Sequence, residues 1–253
     1  MELPKQKLKP TRLSPKILLL YGLPKVGKTE VLTTLKNCLI LDLEGGAKMY
    51  ECLRVPIKNA SEVDECIKML KSELNKTGKP PYEYLAVDTV DKLEDFCIVS
   101  ATRKYKASVI GQNFTGSSVV DLPKGLGYYY IREEVVSKLN QLSTLCKHLI
   151  LVTHVKDKIL DKGDTEVSVR DISLTGKLAG IVSSACDAVG YMYRDGELGS
   201  KLMVSFITEA TAVMGSRFAY LAGKEFEFDW DTIFPPGALS EETAEIEALS
   251  EGT

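Results

Sequence analysis

The clearest chemical signal in this sequence is a phosphate-binding pattern. The motif G-x-x-x-x-G-K-[ST] is satisfied by Gly22-Leu23-Pro24-Lys25-Val26-Gly27-Lys28-Thr29, directly after the apolar run 17–21. Glycines let the backbone approach a polyphosphate closely, so that successive N–H groups and the positive end of the following helix face the anion. Lys28 can then contact the outer phosphates while the Thr29 hydroxyl binds Mg²⁺. We therefore predict a nucleoside triphosphate bound at this loop and at the adjoining Glu30.

Two other apolar runs end in carboxylates of the kind that a nucleotide site needs. One run ends in Asp88, which we predict to hold Mg²⁺ or its water shell opposite Thr29; an N-cap of the next helix is the alternative. A second run is followed by Glu44, which shares a strand face with Asp42. Glu44 is placed to polarise an attacking water, although a salt-bridged strand end would also explain it. Asp42 is predicted to be structural.

A histidine follows a fourth apolar run. His154 comes directly after run 149–153, where a polar side chain could sense the γ-phosphate and transmit its state to the lysine-bearing segment that follows. A structural histidine that caps a strand fits the pattern equally well. His148, at the opposite end of the same run, is predicted to be structural.

The apolar runs alternate with segments of helical periodicity. The predicted strands are 17–21, 38–43, 84–88 and 149–153, and helical spacing is found in 61–74, 93–101 and 131–146. This alternation predicts an α/β fold, with a mostly parallel sheet flanked by helices and the ligand at the carboxyl ends of the strands. Runs 188–193 and 201–207, joined by a turn at Asp195-Gly196, predict an antiparallel extension at one edge.

Two polar stretches exceed normal connection lengths, at about 105–127 and 155–176. Long connections in a compact domain are usually functional or disordered. Within the second, residues 158–169 place a Lys-Gly-Asp centre between alternating apolar residues, which predicts a β-hairpin.

The composition is typical of a single soluble α/β domain, which we assign to residues 1–236. The chain has 253 residues, of which 44% are hydrophobic and 26% charged. No apolar run reaches the length of a membrane span, and the basic N-terminus precedes only a short apolar segment, so neither a membrane location nor secretion is expected. The cysteines are scattered, without a C-x-x-C pair, which favours reduced thiols in a cytoplasm and argues against zinc.

The negative charge is concentrated at the C-terminus. Residues 237–253 contain five glutamates and no basic residue, so the rest of the chain carries +2 within a total of −3. We predict a disordered acidic tail for this segment, which acts either as solvating chain or as a competitor for a basic nucleic-acid groove.

The order of these motifs resembles the RecA-like ATPase core over residues 16–207, with a phosphate loop and three polar residues following successive strands. The Leu-Tyr-Gly-Leu-Pro-Lys-Val-Gly-Lys-Thr opening and the Thr153-His154 pair are most similar to phage-encoded RecA-like NTPases that act as single-strand annealing recombinases. The resemblance implies ATP and Mg²⁺ as cofactors, ATP hydrolysis, and single-stranded DNA as partner. It also implies annealing or strand exchange in phage recombination, in the cytoplasm of a bacterial host.

The resemblance assigns the predicted phosphate, metal and water contacts to Lys28, Thr29, Asp88 and Glu44. His154 stands where RecA proteins usually have a glutamine sensor. Residues 1–15 are too short for the N-terminal module that joins RecA subunits into a filament, so a homo-oligomer is expected without a defined geometry. A single-strand DNA-binding protein is a further expected partner. The basic residues that could reach a neighbouring subunit's nucleotide are Lys201 and Arg217.

The two long polar stretches would correspond to the DNA-binding loops of this family. Non-specific binding of single strands requires basic residues along a groove, with aromatic side chains for stacking. Tyrosines 128–130 follow the first stretch, although tyrosines at the start of an amphipathic helix are more often packing residues. The predicted DNA contacts are Arg103, Lys104, Lys106, Phe114, Lys156, Lys158, Lys162 and Arg170.

Two other functions share the phosphate loop. A nucleotide or small-molecule kinase is one, but the sequence has no arginine-rich lid that would clamp a second phosphate-bearing substrate. An ATP-driven regulatory or assembly module with a protein partner and no DNA is the other, and the acidic tail with a modest basic excess fits it equally well.

Overall fold

The computed structural model describes residue 7 and residues 10–161 and 166–236 of the chain. Apolar strands and amphipathic helices alternate along these residues, as the hydrophobic pattern predicts. The elements in chain order are β1 (Ile17–Gly22), α1 (Lys28–Thr34), β2 (Cys38–Asp42), β3 (Arg54–Pro56), α2 (Ala60–Thr77), β4 (Tyr84–Asp88), α3 (Val90–Ala107), α4 (Leu126–Ser143), β5 (His148–Asp161), β6 (Glu166–Ile172), α5 (Lys177–Ala185), β7 (Ala188–Asp195), β8 (Lys201–Ser205), β9 (Gly215–Ser216), β10 (Glu225–Glu227) and α6 (Trp230–Ile233).

The sheet is mostly parallel. Its parallel strands neighbour one another in the order β7-β1-β5-β4-β2-β3. β8 and β9 pair antiparallel with β7, and β10 pairs antiparallel with β8. The predicted α/β fold, a RecA-like core with an antiparallel extension at one edge, is therefore confirmed. β1 lies in the interior of the sheet, so the loop that follows it emerges near the middle of the carboxyl edge.

Both faces of the central strands are buried. Leu18 and Leu20 pack into one apolar cluster, while Leu19 and Tyr21 pack into the other, and all four are fully buried. A strand covered on both faces is apolar at every position rather than at alternate ones. This is why the four apolar runs could be recognised as strands from the sequence.

Register places the polar strand ends together. Gly22 pairs with His154 across β1 and β5, and Asp42 pairs with Asp88 across β2 and β4. These residues lie at the carboxyl edge, where ligands of open α/β sheets bind.

The structure corrects several predicted boundaries. β5 is far longer than the predicted run 149–153, because it continues beyond the parallel sheet and pairs there with β6. The first long connection is shorter than predicted, since α3 extends to Ala107 and α4 begins at Leu126. Three short strands were not predicted, since two or three residues carry too little periodicity: β3, β9 and β10.

α3 and α4 are antiparallel and packed together. Ser100 donates a hydrogen bond to Glu134 (3.0 Å), and the rings of Tyr105 and Tyr130 lie 5.1 Å apart. The residues between the two helices form short 3₁₀ turns at Val119–Asp121 and Pro123–Gly125. This connection is therefore ordered by local turns rather than being an open loop.

The predicted hairpin in the second stretch is confirmed. β5 and β6 pair antiparallel from Val155 with Ile172 to Asp161 with Glu166. Residues 162–165, and with them Lys162, lie outside the described residues, as does the predicted tail at 237–253. The hairpin continues directly from the strand that carries His154.

The cysteines are all free, and only Cys52 among them is not buried. This agrees with the predicted reduced, packed thiols. Among the described helices, none combines the length and the hydrophobicity that crossing a membrane requires.

His148 is buried in an aromatic cluster and is structural, as predicted. Its ring contacts those of Tyr84 and Phe234, at centroid distances of 5.1 and 4.7 Å, and Nδ1 lies 2.7 Å from the carbonyl oxygen of Pro15. Nε2 is buried without a hydrogen-bond partner among the described residues. Burial lowers the pKa of His148 from 6.5 to about 4.

This shift predicts a loss of stability in acid. The unfolded chain takes up a proton near pH 6.5, but the folded chain does so only near pH 4. The contribution of His148 to the free energy of unfolding should therefore fall by about 3 kcal/mol as the pH is lowered across this window. Urea denaturation at several pH values measures the effect.

His148→Gln provides the comparison, because it removes the titrating ring. Burial raises the pKa of Asp88 to about 6, which has the opposite effect on stability over the same pH range, but this contribution is common to both proteins. Between pH 6.5 and 4 the wild type should therefore lose about 3 kcal/mol of unfolding free energy relative to the variant. An unchanged slope would mean that His148 is not the group responsible.

Candidate nucleotide site

The phosphate loop is closely packed at its two glycines. A Cβ atom on Gly22 would lie 2.4 Å from the carbonyl oxygen of Met192, so only glycine fits there. Gly27 has a φ of 121°, and a Cβ atom on it would lie 2.9 Å from a guanidinium nitrogen of Arg194. Both glycines of the motif are thus required by the backbone conformation and by close approach, independently of any ligand.

Lys28 is buried beneath the loop. Its Nζ donates hydrogen bonds to the carbonyl oxygens of Gly22 (2.9 Å) and Leu23 (2.7 Å). Burial lowers the pKa of Lys28, while the carboxylates of Asp88, Asp91 and Glu44 oppose this shift. The ammonium group therefore lies near three acidic side chains and is held by carbonyl oxygens of the loop that would also bind a polyphosphate.

Thr29 and Asp88 are in direct contact. The Thr29 hydroxyl donates a hydrogen bond of 2.8 Å to Oδ2 of Asp88. The other carboxylate oxygen, Oδ1, is buried and has no hydrogen-bond partner among the described residues. A hydroxyl and a carboxylate oxygen are the hard ligands that Mg²⁺ prefers. A bound cation would also compensate the buried carboxylate oxygen that lacks a hydrogen bond from the described residues. The residues present therefore fit the predicted metal.

Glu44 lies beside this pair in the turn after β2. Asp42 accepts a hydrogen bond from the Gly45 amide (2.7 Å) and lies 3.6 Å from the guanidinium of Arg54, so it shapes the turn and is structural, as predicted. Oε1 of Glu44 accepts a hydrogen bond of 2.9 Å from the Thr89 hydroxyl. Glu44 is thus oriented from the N-cap of α3, but its side chain keeps 37% exposure and can reach a water molecule.

His154 is held by an acidic residue that the sequence did not single out. Its Nδ1 lies 2.8 Å from Oδ2 of Asp91 and 3.8 Å from Oε1 of Glu44. The Thr153 hydroxyl donates to the other oxygen of Asp91 at 3.2 Å. Ligand atoms of Glu44, Asp91 and His154 all lie within 4.8 Å of one another. One imidazole and two carboxylates therefore converge beside the phosphate loop.

Comparison with known proteins agrees with this geometry. A family model described as AAA domain, AAA_24, matches residues 14–223. The chain belongs to the AAA_24 family. The phosphate loop lies within the matched residues.

Two relatives illustrate how far the similarity extends. The chain is 27% identical over 161 residues to the SPbeta prophage-derived uncharacterized protein YorG of Bacillus subtilis (strain 168), covering 61% of this chain and 47% of that protein. It thus spans about half the length of this curated relative. The crystal structure of the KaiC-like protein PH0186 from Pyrococcus horikoshii OT3 is similar over 86% of each chain, with 13% identity and a TM-score of 0.43.

In this AAA_24 chain, the predicted DNA residues at positions 103–114 already contact other side chains of the same chain. Arg103 donates to Ser61 (3.3 Å), and Lys104 forms a 2.7 Å ion pair with Glu134. The ring of Phe114 packs edge-on against that of Tyr105 at 5.4 Å, and Lys106 lies over the same Phe114 ring at 5.7 Å. Because these side chains already have intramolecular partners, nucleic acid would have to displace them.

The second group lies on the hairpin of β5 and β6. Lys156 donates to the carbonyl oxygen of Leu174, whereas Lys158 is exposed. Arg170 lies over the ring of Tyr191 at 5.2 Å. The structure thus brings Lys156, Lys158 and Arg170 onto one element and separates them from the group on α3.

The two residues predicted to reach a neighbouring subunit lie far apart. Lys201 begins β8 and is exposed opposite Asp195. Arg217 forms a 3.1 Å ion pair with Asp187 at the start of β7, which is the opposite end of the sheet from the phosphate loop. Their contact with a second subunit stays a prediction.

Sequence reasoning missed three residues of the site. Arg194 donates from Nε to the Val26 carbonyl oxygen (2.8 Å) and lies 3.6 Å from Glu30, bracing the loop from β7. Thr89 and Asp91 orient Glu44 and His154. Spacing alone gave no signal for these residues, because their contacts depend on the order and register of the strands.

Proposed function

We propose that the chain is a Mg²⁺-dependent ATPase that binds single-stranded DNA and promotes its annealing or strand exchange. The observation that supports hydrolysis best is the convergence of Glu44 and the Thr29–Asp88 pair on one phosphate loop. A phosphate loop alone binds nucleotide, whereas hydrolysis also requires a group that activates water. Glu44 has the position, the partial exposure and the orienting hydrogen bond for that task.

The chemistry divides among the chain's own residues. Lys28 would transfer its hydrogen bonds from loop carbonyls to phosphate oxygens and so offset their charge. Thr29 and Asp88 would hold Mg²⁺, which supplies further neutralisation of the phosphates. Glu44, held by Thr89, would accept a proton from the attacking water, and His154 would contact the γ-phosphate. Arg194 would keep the loop in position.

The DNA part of the proposal depends on the hairpin of β5 and β6. Lys158 is exposed on this hairpin, and Arg170 presents a guanidinium stacked on Tyr191. An exposed guanidinium suits phosphate contact, and its planar face can stack on a base. The hairpin also continues from His154, which places it one residue from the proposed γ-phosphate contact.

The wider setting is inferred from the similarity to a prophage-derived protein of B. subtilis. We place the activity in phage recombination in the cytoplasm of a bacterial host. A homo-oligomer and a single-strand DNA-binding protein are the proposed protein partners.

The test is ATP hydrolysis measured with and without single-stranded DNA, in the wild-type chain and in Lys28→Ala. We expect hydrolysis that requires Mg²⁺, increases with DNA, and is lost in the variant because its loop has no ammonium group for the phosphates. DNA affinity should be measured across salt concentrations. Replacing Lys158 and Arg170 together with alanine should reduce the slope of log affinity against log salt by about 1.4, or about 0.7 for each lost phosphate contact.

The matched control replaces Lys68 and Lys79, two exposed lysines remote from the hairpin, with alanine. It removes the same charge and should leave the salt slope unchanged. Equal losses in both double variants would show non-specific attraction rather than a hairpin site. No DNA binding at low salt would refute the recombination proposal while leaving the ATPase proposal intact.

A further inference from the structure

The contact between Asp91 and His154 has a defined hydrogen-bond polarity. An ionised carboxylate only accepts hydrogen bonds, and Oδ2 of Asp91 lies 2.8 Å from Nδ1 of His154. Nδ1 must therefore carry the proton, which leaves Nε2 as the ring nitrogen that gains or loses one. The Thr153 hydroxyl binds the other oxygen of Asp91, so the carboxylate is fixed from the strand that also carries the histidine.

We propose that Asp91 is a positioning residue, which accepts the Nδ1 hydrogen of His154 and so fixes the ring with Nε2 as a donor to the γ-phosphate of ATP. This inference rests on the proposed ATPase function. It assigns a role to a residue outside the phosphate loop and outside the proposed metal and water contacts.

The charges around His154 favour its protonated form. Asp91 on α3 and Glu44 after β2 are acidic, whereas Lys28 on α1 is the opposing cation. The hydrogen bond to Asp91 is the largest influence and raises the pKa of His154 above its ordinary value, against burial and Lys28. For Asp91, burial alone would raise the pKa, but hydrogen bonds from His154 and Thr89 outweigh it and lower the pKa.

Protonation decides whether Nε2 can serve the proposed contact. A neutral imidazole that donates through Nδ1 has a lone pair at Nε2, which would repel a phosphate oxygen. The imidazolium instead donates from Nε2 to the anion, and a charge-assisted hydrogen bond of this kind is stronger than a neutral one. A glutamine amide can donate without titrating, so this chain would acquire a pH dependence that a glutamine sensor lacks.

The first test is NMR of the imidazole resonances in nucleotide-free protein. The chain has two histidines, and His154→Gln assigns them. In Asp91→Asn we expect the titration midpoint of His154 to fall by about 1–3 pH units, the range produced by losing an adjacent opposite charge. Asp95→Asn is the control, because this exposed carboxylate lies one turn further along α3 and pairs with Lys92. It should leave the midpoint unchanged.

The second test is the pH profile of ATP hydrolysis. At pH 8, Asp91→Asn should lower kcat by about tenfold, because a midpoint one unit lower reduces the imidazolium fraction by up to that factor. At pH 6 the rate loss in the variant should be smaller, since a larger fraction of its His154 ring is protonated there than at pH 8. A merely structural role would lower the rate equally at both pH values.

The outcomes separate this inference from the proposed ATPase function. A shifted midpoint without hydrolysis in the wild type would support the Asp91–His154 pair and refute the ATPase. An unshifted midpoint, or equal rate losses at both pH values, would overturn the inference. If Asp91→Asn fails to fold, ¹⁵N shifts of the wild-type ring decide: the proton should remain on Nδ1 above the midpoint, and a proton on Nε2 would overturn the proposal.

Discussion

Glu44→Gln should lower kcat for ATP hydrolysis by about 10²–10⁴-fold, the usual contribution of a general base, while ATP binding persists. Glutamine has nearly the same shape and can still accept the 2.9 Å hydrogen bond from Thr89, so the turn after β2 should be retained. It has no basic oxygen, however, and cannot take a proton from water. The phosphate contacts of Lys28 and Thr29 are untouched. Single-turnover hydrolysis and equilibrium binding of a fluorescent ATP analogue measure the two effects separately.

Glu51→Gln is the matched control, since it removes an exposed carboxylate from the same region of the chain. It should retain both hydrolysis and binding. Loss of binding in Glu44→Gln would show that Glu44 shapes the nucleotide site rather than activating water. Undiminished hydrolysis would place the general base elsewhere, and Asp91, whose carboxylate lies in the same cluster, would then be examined by the same pair of measurements.

The sequence predicted the framework of the site well because that framework is local. Strand β1, the loop after it and the strand that ends in Asp88 are each specified by a few consecutive residues. Their meeting at one edge then follows from the parallel order of the sheet. The Thr29–Asp88 contact was therefore predictable from motifs at a sequence separation of 59 residues.

The remaining contacts depend on side-chain geometry that no spacing encodes. Asp91 occupies the first turn of α3, where an acidic residue is ordinary, and only the register of β5 brings His154 to it. Arg194 reaches the phosphate loop because β7 is the neighbour of β1, and strand order is not fixed by local pattern. The predicted DNA residues also show that residue type does not determine the partner. Lys104 is of a type that contacts nucleic acid, but it pairs with Glu134.

The structure also contains a buried lysine that the sequence pattern did not predict. Lys138 lies on the apolar side of α4 with its side chain 3% exposed. Its Nζ donates to the carbonyl oxygen of Ala60 (3.1 Å) and to Asp64, both on α2, and lies 3.5 Å from Glu134. Because Glu134 also accepts from Ser100 on α3, this network joins α2 and α4 to α3, the helix that carries Asp91.

Lys138→Ala should lower the free energy of unfolding by about 3–5 kcal/mol, because it leaves a cavity and removes the cation from partly buried acceptors. Lys138→Met restores the volume without the charge, so it should cost about 1–3 kcal/mol, the penalty of unpaired acceptors. Lys104→Ala is the control. Lys104 pairs with the same Glu134, but its side chain is 59% exposed. Its removal should lower the free energy of unfolding by at most about 1 kcal/mol. Urea denaturation measures all three. Equal costs for Lys138→Ala and Lys104→Ala would show that burial of the network contributes nothing to stability, whereas the expected difference would identify Lys138 as the residue that fixes α4 against α2.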